Sequence, residues 1–340
     1  MLFRKILLSL FMQIAINVYF CVMNERKKII FIVNPTSGTT RKKRIVEKIE
    51  TKTDKGLFDP SIRFTEYAGH ATQLAADAVG EGADIVVAVG GDGTINEVAR
   101  SLVHTDTSLG IIPCGSGNGL ARHLHIPLSV NSALHIINTC EIHRLDYGLC
   151  DGRPFFCTCG VGFDAFISEK FANHGKRGPI SYAEIMLKEG LRYKPELYVI
   201  EDEETKLRYK AYVITCANAS QYGNNCYIAP HASMKDGLMD VTMISPFGVI
   251  GAPGIVIGMF SKTLPRNSKV KTFKTRKILI TRDQEGPYHC DGDPYKGGKQ
   301  IEIEIVPKAL NIVVNPEAHS PYRRVKNLLR TVRLKKDFDK

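Results

Sequence analysis

The chain has 340 residues, of which 44% are hydrophobic, and it carries a formal net charge of +11. This length and apolar content indicate a globular protein of about two domains and exclude a disordered chain. The nine cysteines show neither CxxC pairs nor the density of a disulfide scaffold, which predicts a reducing cytosol and no zinc site. No basic motif interleaved with aromatic residues supports nucleic acid as a partner.

The N-terminal stretch has features of a signal or anchor and also of an over-extended gene start. Two cations precede about eighteen mostly apolar residues, but Gln13 and Asn17 weaken a membrane span, and no small-x-small cleavage site follows. Met23 stands directly before the first apolar run, where a natural start would lie. We predict that residues 1–27 are a dispensable or anchor-like extension.

Residues 28–145 alternate between apolar runs and helical patterns, which predicts parallel β-α units. The run at 85–89 is continuously apolar, as expected of a strand buried on both faces of a sheet. The predicted strands are 29–33, 62–67, 85–89 and 109–112, and the predicted helices are 41–51, 71–79, 95–103 and one from Gly119.

Each predicted strand ends in a loop of small and polar residues, with the sequences NPTSG, TEYAGHA, GGDGT and PCGSGNG. In an open parallel sheet such loops gather at the carboxyl edge, where ligands bind. Glycines let backbone amides approach an anion, and a helix N-terminus adds unpaired donors. One phosphate site is therefore favoured over four independent turns.

Asp92 is unusual in such a loop, because its carboxylate would repel a phosphate. It is expected where a metal ion or a proton must be bound, which indicates phosphoryl transfer. The alternative is a plain turn whose glycines relieve strain and whose Asp92 caps the following helix.

From about residue 146 the pattern changes to short β-like runs with turn signals, which predicts a mostly antiparallel β domain over 146–315. A helical segment at 180–193 and an apolar run at 246–260 interrupt it. The basic end, 316–340, is predicted to be a helix or tail with one apolar stripe. It would either bind a membrane surface or pack on its own domain; the stripe consists of Val325, Leu328, Leu329 and Val332.

Eight motifs in this order resemble the catalytic family of diacylglycerol and sphingosine kinases, including its bacterial lipid kinases. The motifs are NPTSG (34–38), GHA (69–71), GGDGTINEV (90–98), PCGSGNGLAR (113–122), LDYG (145–148), GVGFDA (160–165), KDGLMDV (235–241) and DGD (291–293). The resemblance implies an α/β fold with an N-terminal parallel-sheet nucleotide-binding domain and a C-terminal antiparallel β-rich lipid-binding domain. The active site would lie in the interdomain cleft.

The family further implies transfer of the γ-phosphate of ATP to a lipid hydroxyl, with Mg²⁺ neutralising the phosphates. By the same resemblance, the phosphates lie on residues 90–96, and further residues complete the nucleotide site. Hydroxyls and backbone amides at strand ends are the groups that phosphate oxygens need. The predicted nucleotide site comprises Asn34, Thr65, Gly90, Gly91, Asp92, Gly93, Thr94, Ile95, Asn96, Gly115 and Ser116.

The DGD turn is expected to supply the general base. The family usually has Asp-Gly-Glu where this chain has Asp291-Gly292-Asp293, and the shorter second acid reaches less far. We name Asp293 first as the residue that takes the proton of the lipid hydroxyl, then Asp291, with Asp92 as a metal-positioning group or alternate base. A β-turn that uses Asp-Gly only for its geometry is the alternative.

Two further sites follow from the resemblance. Asp164 lies where sphingosine kinases hold the polar head of the substrate, and a helix cap is its alternative. A second, structural Mg²⁺ would be held by the Asp236 carboxylate and the carbonyls of Ser233 and Leu238. A plain Asp-Gly turn is the alternative. The apolar run 246–260 would line a lipid-tail pocket or form an ordinary buried helix or loop.

The sequence thus predicts an ATP-dependent lipid kinase for diacylglycerol or a sphingoid-type lipid. The GSGN sequence favours a sphingoid-like acceptor, whereas the KDGLMD turn favours diacylglycerol. An NAD kinase-like phosphotransferase, which shares a GGDG loop, and a nucleotide-binding membrane-associated regulator are the alternatives. We expect a cytoplasmic protein at the inner face of the membrane, with lipid as its partner, no protein partner implied and homodimerisation left open.

Overall fold

The computed structural model describes residues 26–38, 42–172, 189–190 and 192–316. The anchor-like segment before residue 26, most of the predicted helix at 180–193 and the apolar stripe beyond residue 316 lie outside these residues. Within the described part of the chain, no helix is long and apolar enough to cross a membrane.

The first half is a parallel sheet with helices between its strands, as predicted. The strand order β2-β1-β3-β4 is parallel throughout, and β3 and β4 are buried at every position. The strands are β1 (Lys27–Val33), β2 (Phe58–Phe64), β3 (Ile85–Gly90) and β4 (Ser108–Pro113), and the helices are α1 (Lys42–Lys52), α2 (His70–Gly80), α3 (Asp92–Leu102), α4 (Gly119–His123) and α5 (Val130–Thr139).

Two predicted boundaries were wrong for local reasons. The strand placed at 62–67 lies at Phe58–Phe64, because β2 is an edge strand and an edge strand tolerates Pro60, which has no N–H to donate. The helix placed at 95–103 already begins at Asp92, so half of the glycine-rich motif is helical.

The second half is largely antiparallel, as predicted. Its own sheet has the order β12-β11-β10-β7-β14-β15. The remaining elements are β5 (Ile142–Cys150), β6 (Arg153–Phe155), β7 (Thr158–Gly162), α6 (Phe163–Ala172), β8 (Glu196–Glu201), β9 (Lys206–Ala211), β10 (Val213–Ala217), β11 (Met239–Ile244), α7 (Ala252–Ser261), a 3₁₀ turn (Leu264–Arg266), β12 (Val270–Thr275), β13 (Lys277–Arg282), β14 (Gly286–Cys290), β15 (Asp293–Gly297) and β16 (Gln300–Val313).

The two halves share one sheet. Strand β16 pairs with β4 of the first half in parallel and with β5 and β13 in antiparallel fashion, which makes a ten-stranded sheet. The predicted boundary after residue 145 falls inside β5. The halves are therefore fixed to each other by backbone hydrogen bonds as well as by packing.

The apolar run 246–260 is not an ordinary buried helix. Helix α7 buries only Ile255 and Gly258 against the fold, and most of its other apolar side chains are exposed. The prediction of burial was wrong, because composition alone does not show which face of a helix meets another element.

Candidate active site

Glycines allow the strand-end loops to lie in contact at the carboxyl edge of the parallel sheet. The side-chain amide of Asn34, after β1, donates to the hydroxyl of Thr94 at 3.0 Å. A Cβ on Gly38, whose φ is +65°, would lie 2.0 Å from a carbonyl oxygen of the loop after β4. A Cβ on Gly115 would lie 2.6 Å from the Cα of Gly91. Larger residues at these positions would force the loops apart.

The N-terminus of α3 opens towards this loop cluster. The helix follows Gly91 and has no side-chain cap, so the amides of its first turn have no acceptor inside the helix. A Cβ on Gly93 would meet nothing within 4 Å. This open end carries unpaired donors and a partial positive charge, which suits a phosphate group.

Asp92 joins two of the glycine-rich loops. Its two carboxylate oxygens accept the amides of Asn118 at 2.7 Å and Gly119 at 2.6 Å, at the start of α4. Burial raises the pKa of Asp92, and the two amides oppose that rise. The residue thus fixes the GGDG and GSGN loops against each other.

Asp291 joins the second half to the first. Its carboxylate accepts the backbone amides of Phe156, Cys157 and Thr158 at 2.7 to 3.0 Å. The side-chain amide of Asn96, one turn into α3, donates to the same carboxylate at 2.5 Å. Burial raises the pKa of Asp291, while these four donors stabilise the charged form. Asp291 is therefore held in place and has little capacity left for a substrate.

Asp293 is the acid of this turn whose oxygens are available. It reaches solvent and accepts no hydrogen bond from the described residues, although it lies only two positions beyond Asp291. Burial raises the pKa of Asp293, and the nearby charges of Arg100 and His289 act in the opposite direction. Of the two acids, Asp293 has the carboxylate that is accessible to a ligand.

Arg100 is a site residue that the sequence prediction missed. It stands one helical turn after Asn96, and its guanidinium donates to the Tyr295 hydroxyl at 3.2 Å, while its Nε is buried without a partner among the described atoms. Burial disfavours the charged form, but the Tyr295 hydroxyl and the charges of Asp293 and Asp291 outweigh it and raise the pKa of Arg100. Its spacing from Asn96 was a sequence signal for a shared helix face.

Asp164, the predicted head-group residue, lies beside the DGD turn but is already engaged. One of its oxygens accepts from Thr215, Tyr222 and His289 at 3.0 to 3.1 Å, and the other accepts the amide of Ala165. His289 contacts the turn through the Gly292 amide.

The protonation of His289 depends on this neighbour. Burial opposes the charged ring, but the Asp164 carboxylate outweighs burial and raises the pKa of His289. The negative charge of Asp164 therefore has a protein partner before any substrate binds. Sequence reasoning missed this pair, because 125 residues separate the two side chains.

Other predicted nucleotide residues differ in what they can offer. Ile95 does not fit the role, because its side chain is buried in the core and its amide donates to the Gly91 carbonyl. Thr65 is buried at the end of β2 and donates its amide to the Val33 carbonyl. Gly90 packs against Thr94, and Ser116 is exposed in the GSGN loop.

The residues of the predicted structural Mg²⁺ site make hydrogen bonds within the protein, and the site stays a prediction. The Asp236 carboxylate accepts the ammonium of Lys274 at 2.8 Å, and the amide of Leu238 points its hydrogen at the same carboxylate. The Ser233 hydroxyl accepts the amide of Lys235. Lysine supplies the positive charge here, so no metal step is derived from this turn.

Two family descriptions match consecutive parts of the chain. Residues 28–150 match the diacylglycerol kinase catalytic domain, and residues 157–314 match the YegS C-terminal NAD kinase beta sandwich-like domain. The chain therefore belongs to the family of bacterial lipid kinases that combine these two domains.

Relatives with similar sequences cover most of the chain. It is 27% identical over 285 residues to a diacylglycerol kinase of Staphylococcus saprophyticus, covering 82% of this chain and 91% of the relative. It is 29% identical over 303 residues to an uncharacterized protein of Synechocystis, covering 83% of this chain and 69% of the relative.

Solved structures with low sequence identity share the fold. A diacylglycerol kinase from Bacillus anthracis matches with a TM-score of 0.66 and 20% identity, over 85% of this chain and 97% of that one. An NAD kinase from Archaeoglobus fulgidus, solved with ATP, matches with a TM-score of 0.51 and 17% identity, over 90% of this chain and 98% of that one. At these identities, the matches are evidence for the fold alone.

Proposed function

We propose that the protein transfers the γ-phosphate of ATP to the hydroxyl of an uncharged lipid alcohol of the diacylglycerol type. The observation that carries this proposal is the Asn96–Asp291 hydrogen bond, 2.5 Å long. It ties the helix whose open N-terminus suits phosphate to the turn that bears the available Asp293.

Each residue has a distinct role in the proposed reaction. The first-turn amides of α3 bind phosphate oxygens, and Asp92 keeps the two glycine-rich loops together around them. Asp293 accepts the proton of the lipid hydroxyl as the hydroxyl oxygen attacks the γ-phosphorus, while the bond from that phosphorus to the β–γ bridging oxygen breaks and ADP leaves. Asp291 and Asn96 position the turn, and Arg100 favours the charged form of Asp293.

The environment of Asp164 supports an uncharged acceptor. A sphingoid base carries an ammonium, for which a free carboxylate would be the natural partner. Asp164 accepts four hydrogen bonds from the protein, one of them from His289, whose pKa is raised. A second cation at this carboxylate would compete with His289, whereas a glycerol hydroxyl would not.

We propose Mg²⁺ as the companion of ATP. When bound, it supplies charge neutralisation at the phosphates. Magnesium usually keeps several waters and takes one or two carboxylates besides substrate phosphates. The carboxylates of Asp92 and Asp291 already accept backbone amides, and Asp293 is assigned the proton, so the phosphates of ATP and water would supply most of the ligands of the Mg²⁺.

An acceptor panel tests the proposed function. Purified protein is incubated with Mg²⁺, γ-³²P-ATP and, separately, dioleoylglycerol, sphingosine, ceramide or NAD, and the products are separated by thin-layer chromatography. We expect label in phosphatidic acid, and none when EDTA replaces Mg²⁺. Label in sphingosine phosphate or NADP would contradict the acceptor, and ATP binding without any lipid-dependent product would favour the regulator instead.

A further inference from the structure

An exposed apolar surface lies on and before α7; we call residues 249–260 the α7 surface. Within α7 itself, the exposed apolar residues fall on one stripe of the helix. The opposite side, with Ile255 and Gly258, packs on the fold, so the stripe has no intramolecular role in the described structure. The exposed fractions are 69% for Val249, 98% for Ile250, 50% for Val256, 64% for Ile257 and 56% for Phe260.

Positive charge is concentrated in the sequence segment that contains this surface. Residues 241–282 contain eight Lys or Arg and no Asp or Glu. Lys274 and Lys277 pair with carboxylates, and Arg282 binds backbone carbonyls. The other five form no ion pair with a described carboxylate, and all five are exposed; they are Lys262, Arg266, Lys269, Lys271 and Arg276.

The α7 surface is close to the site. Phe247, two positions before it, has its ring centroid 4.7 Å from that of Tyr212, and the Tyr212 centroid lies 4.8 Å from that of Phe163. Phe163 precedes Asp164, whose network reaches the DGD turn through His289. Two ring contacts therefore connect the exposed surface to the region of the acceptor.

We propose that the α7 surface is where the protein docks on an anionic lipid bilayer. Its apolar side chains enter the boundary between headgroups and acyl chains, and the cations that follow it in the sequence contact lipid phosphates. We choose an anionic bilayer because of charge complementarity: an apolar stripe followed in the sequence by cations without ion pairs fits an anionic interface. The purpose of the docking rests on the proposed lipid kinase activity, but the docking itself needs neither ATP nor acceptor.

Vesicle sedimentation without ATP and without acceptor lipid tests the docking surface. The full chain is mixed with phosphatidylcholine vesicles that contain or lack phosphatidylglycerol. We expect Ile250→Ser with Ile257→Ser to lower partitioning roughly tenfold or more, because two exposed apolar side chains leave the interface. The matched control, Leu128→Ser, changes a 44% exposed apolar residue in the first half and should bind as the parent does.

The charges are tested separately. Lys269→Gln with Lys271→Gln should remove most of the preference for phosphatidylglycerol and leave weak binding to phosphatidylcholine. Both double variants should phosphorylate a monomeric short-chain diacylglycerol at the parent rate, so loss of docking and loss of the proposed activity are told apart. Unchanged vesicle binding of the isoleucine variant would overturn the proposal. So would a change only in oligomeric state by sedimentation velocity, which would assign the surface to a second copy.

Discussion

At the residue scale, two acids in one turn have different environments and therefore different roles. Asp291 accepts four hydrogen bonds from the protein, whereas Asp293 accepts none from the described residues. Acids whose environments differ in this way commonly divide positioning and proton transfer between them. The structure gives a physical reason to name Asp293 as the base.

Arg100 should set the pH dependence of that base. The charged groups around Asp293 are Arg100 and His289, which favour its ionised form, while burial disfavours it. Since the base must be ionised, the rate falls as the pH falls through the pKa of Asp293. Arg100→Gln removes a favourable charge, so we expect that pKa to rise and the acidic limb of kcat/KM to move to higher pH.

The control for this profile is Arg144→Gln, which alters an exposed arginine whose nearest carboxylate is 4.0 Å away. The acidic limb of kcat/KM in this variant should coincide with that of the parent. If the acidic limb of kcat/KM in Arg100→Gln stays in place or moves to lower pH, the Arg100 guanidinium does not act on the base.

At the element scale, one helix organises the site. Asp92, Asn96 and Arg100 are spaced four residues apart on α3, and they contact the start of α4, Asp291 and Tyr295 respectively. The N-terminus of the same helix offers its free amides to phosphate. A shift of α3 would therefore change nucleotide binding and the catalytic turn together.

Gly93→Ala separates the stability of α3 from its binding role. A Cβ there meets no protein atom within 4 Å, and Ala favours a helix over Gly by about 0.5–1 kcal/mol. We expect an unchanged or higher Tm, but roughly tenfold weaker ATP binding by calorimetry, because the new methyl group enters the space at the open helix end. Gly80→Ala, equally free of contacts in α2, is the control. Parent-like ATP affinity in Gly93→Ala would place the phosphates elsewhere.

At the scale of the whole molecule, the halves form one framework through β16. This strand returns from the second half to pair with β4, in the same ten-stranded sheet as β3. The turn between β14 and β15 belongs to the six-stranded sheet, and the Asn96–Asp291 hydrogen bond connects it to the first half. The N-terminal end of α3, where we propose that phosphate binds, is therefore joined to the DGD turn by the Asn96–Asp291 hydrogen bond.

Sequence reasoning succeeded where the signal was local. Continuous apolar runs predicted the buried parallel strands, and glycine-rich strand ends predicted one loop cluster. It could not find contacts between distant residues: Lys274 lies 38 positions from Asp236, yet its ammonium donates to the Asp236 carboxylate. Likewise, the composition of 246–260 predicted burial, although only the arrangement of neighbouring elements decides which apolar face is covered.

The most direct test of the account is the turnover of Asp293→Asn with γ-³²P-ATP and dioleoylglycerol. Asp293 holds no described hydrogen bond, so the variant should keep its Tm and its KM for ATP. Loss of a general base should lower kcat by roughly 10² to 10⁴. A kcat within about twofold of the parent, in a variant of unchanged Tm, would contradict the claim that this acid takes the proton of the acceptor.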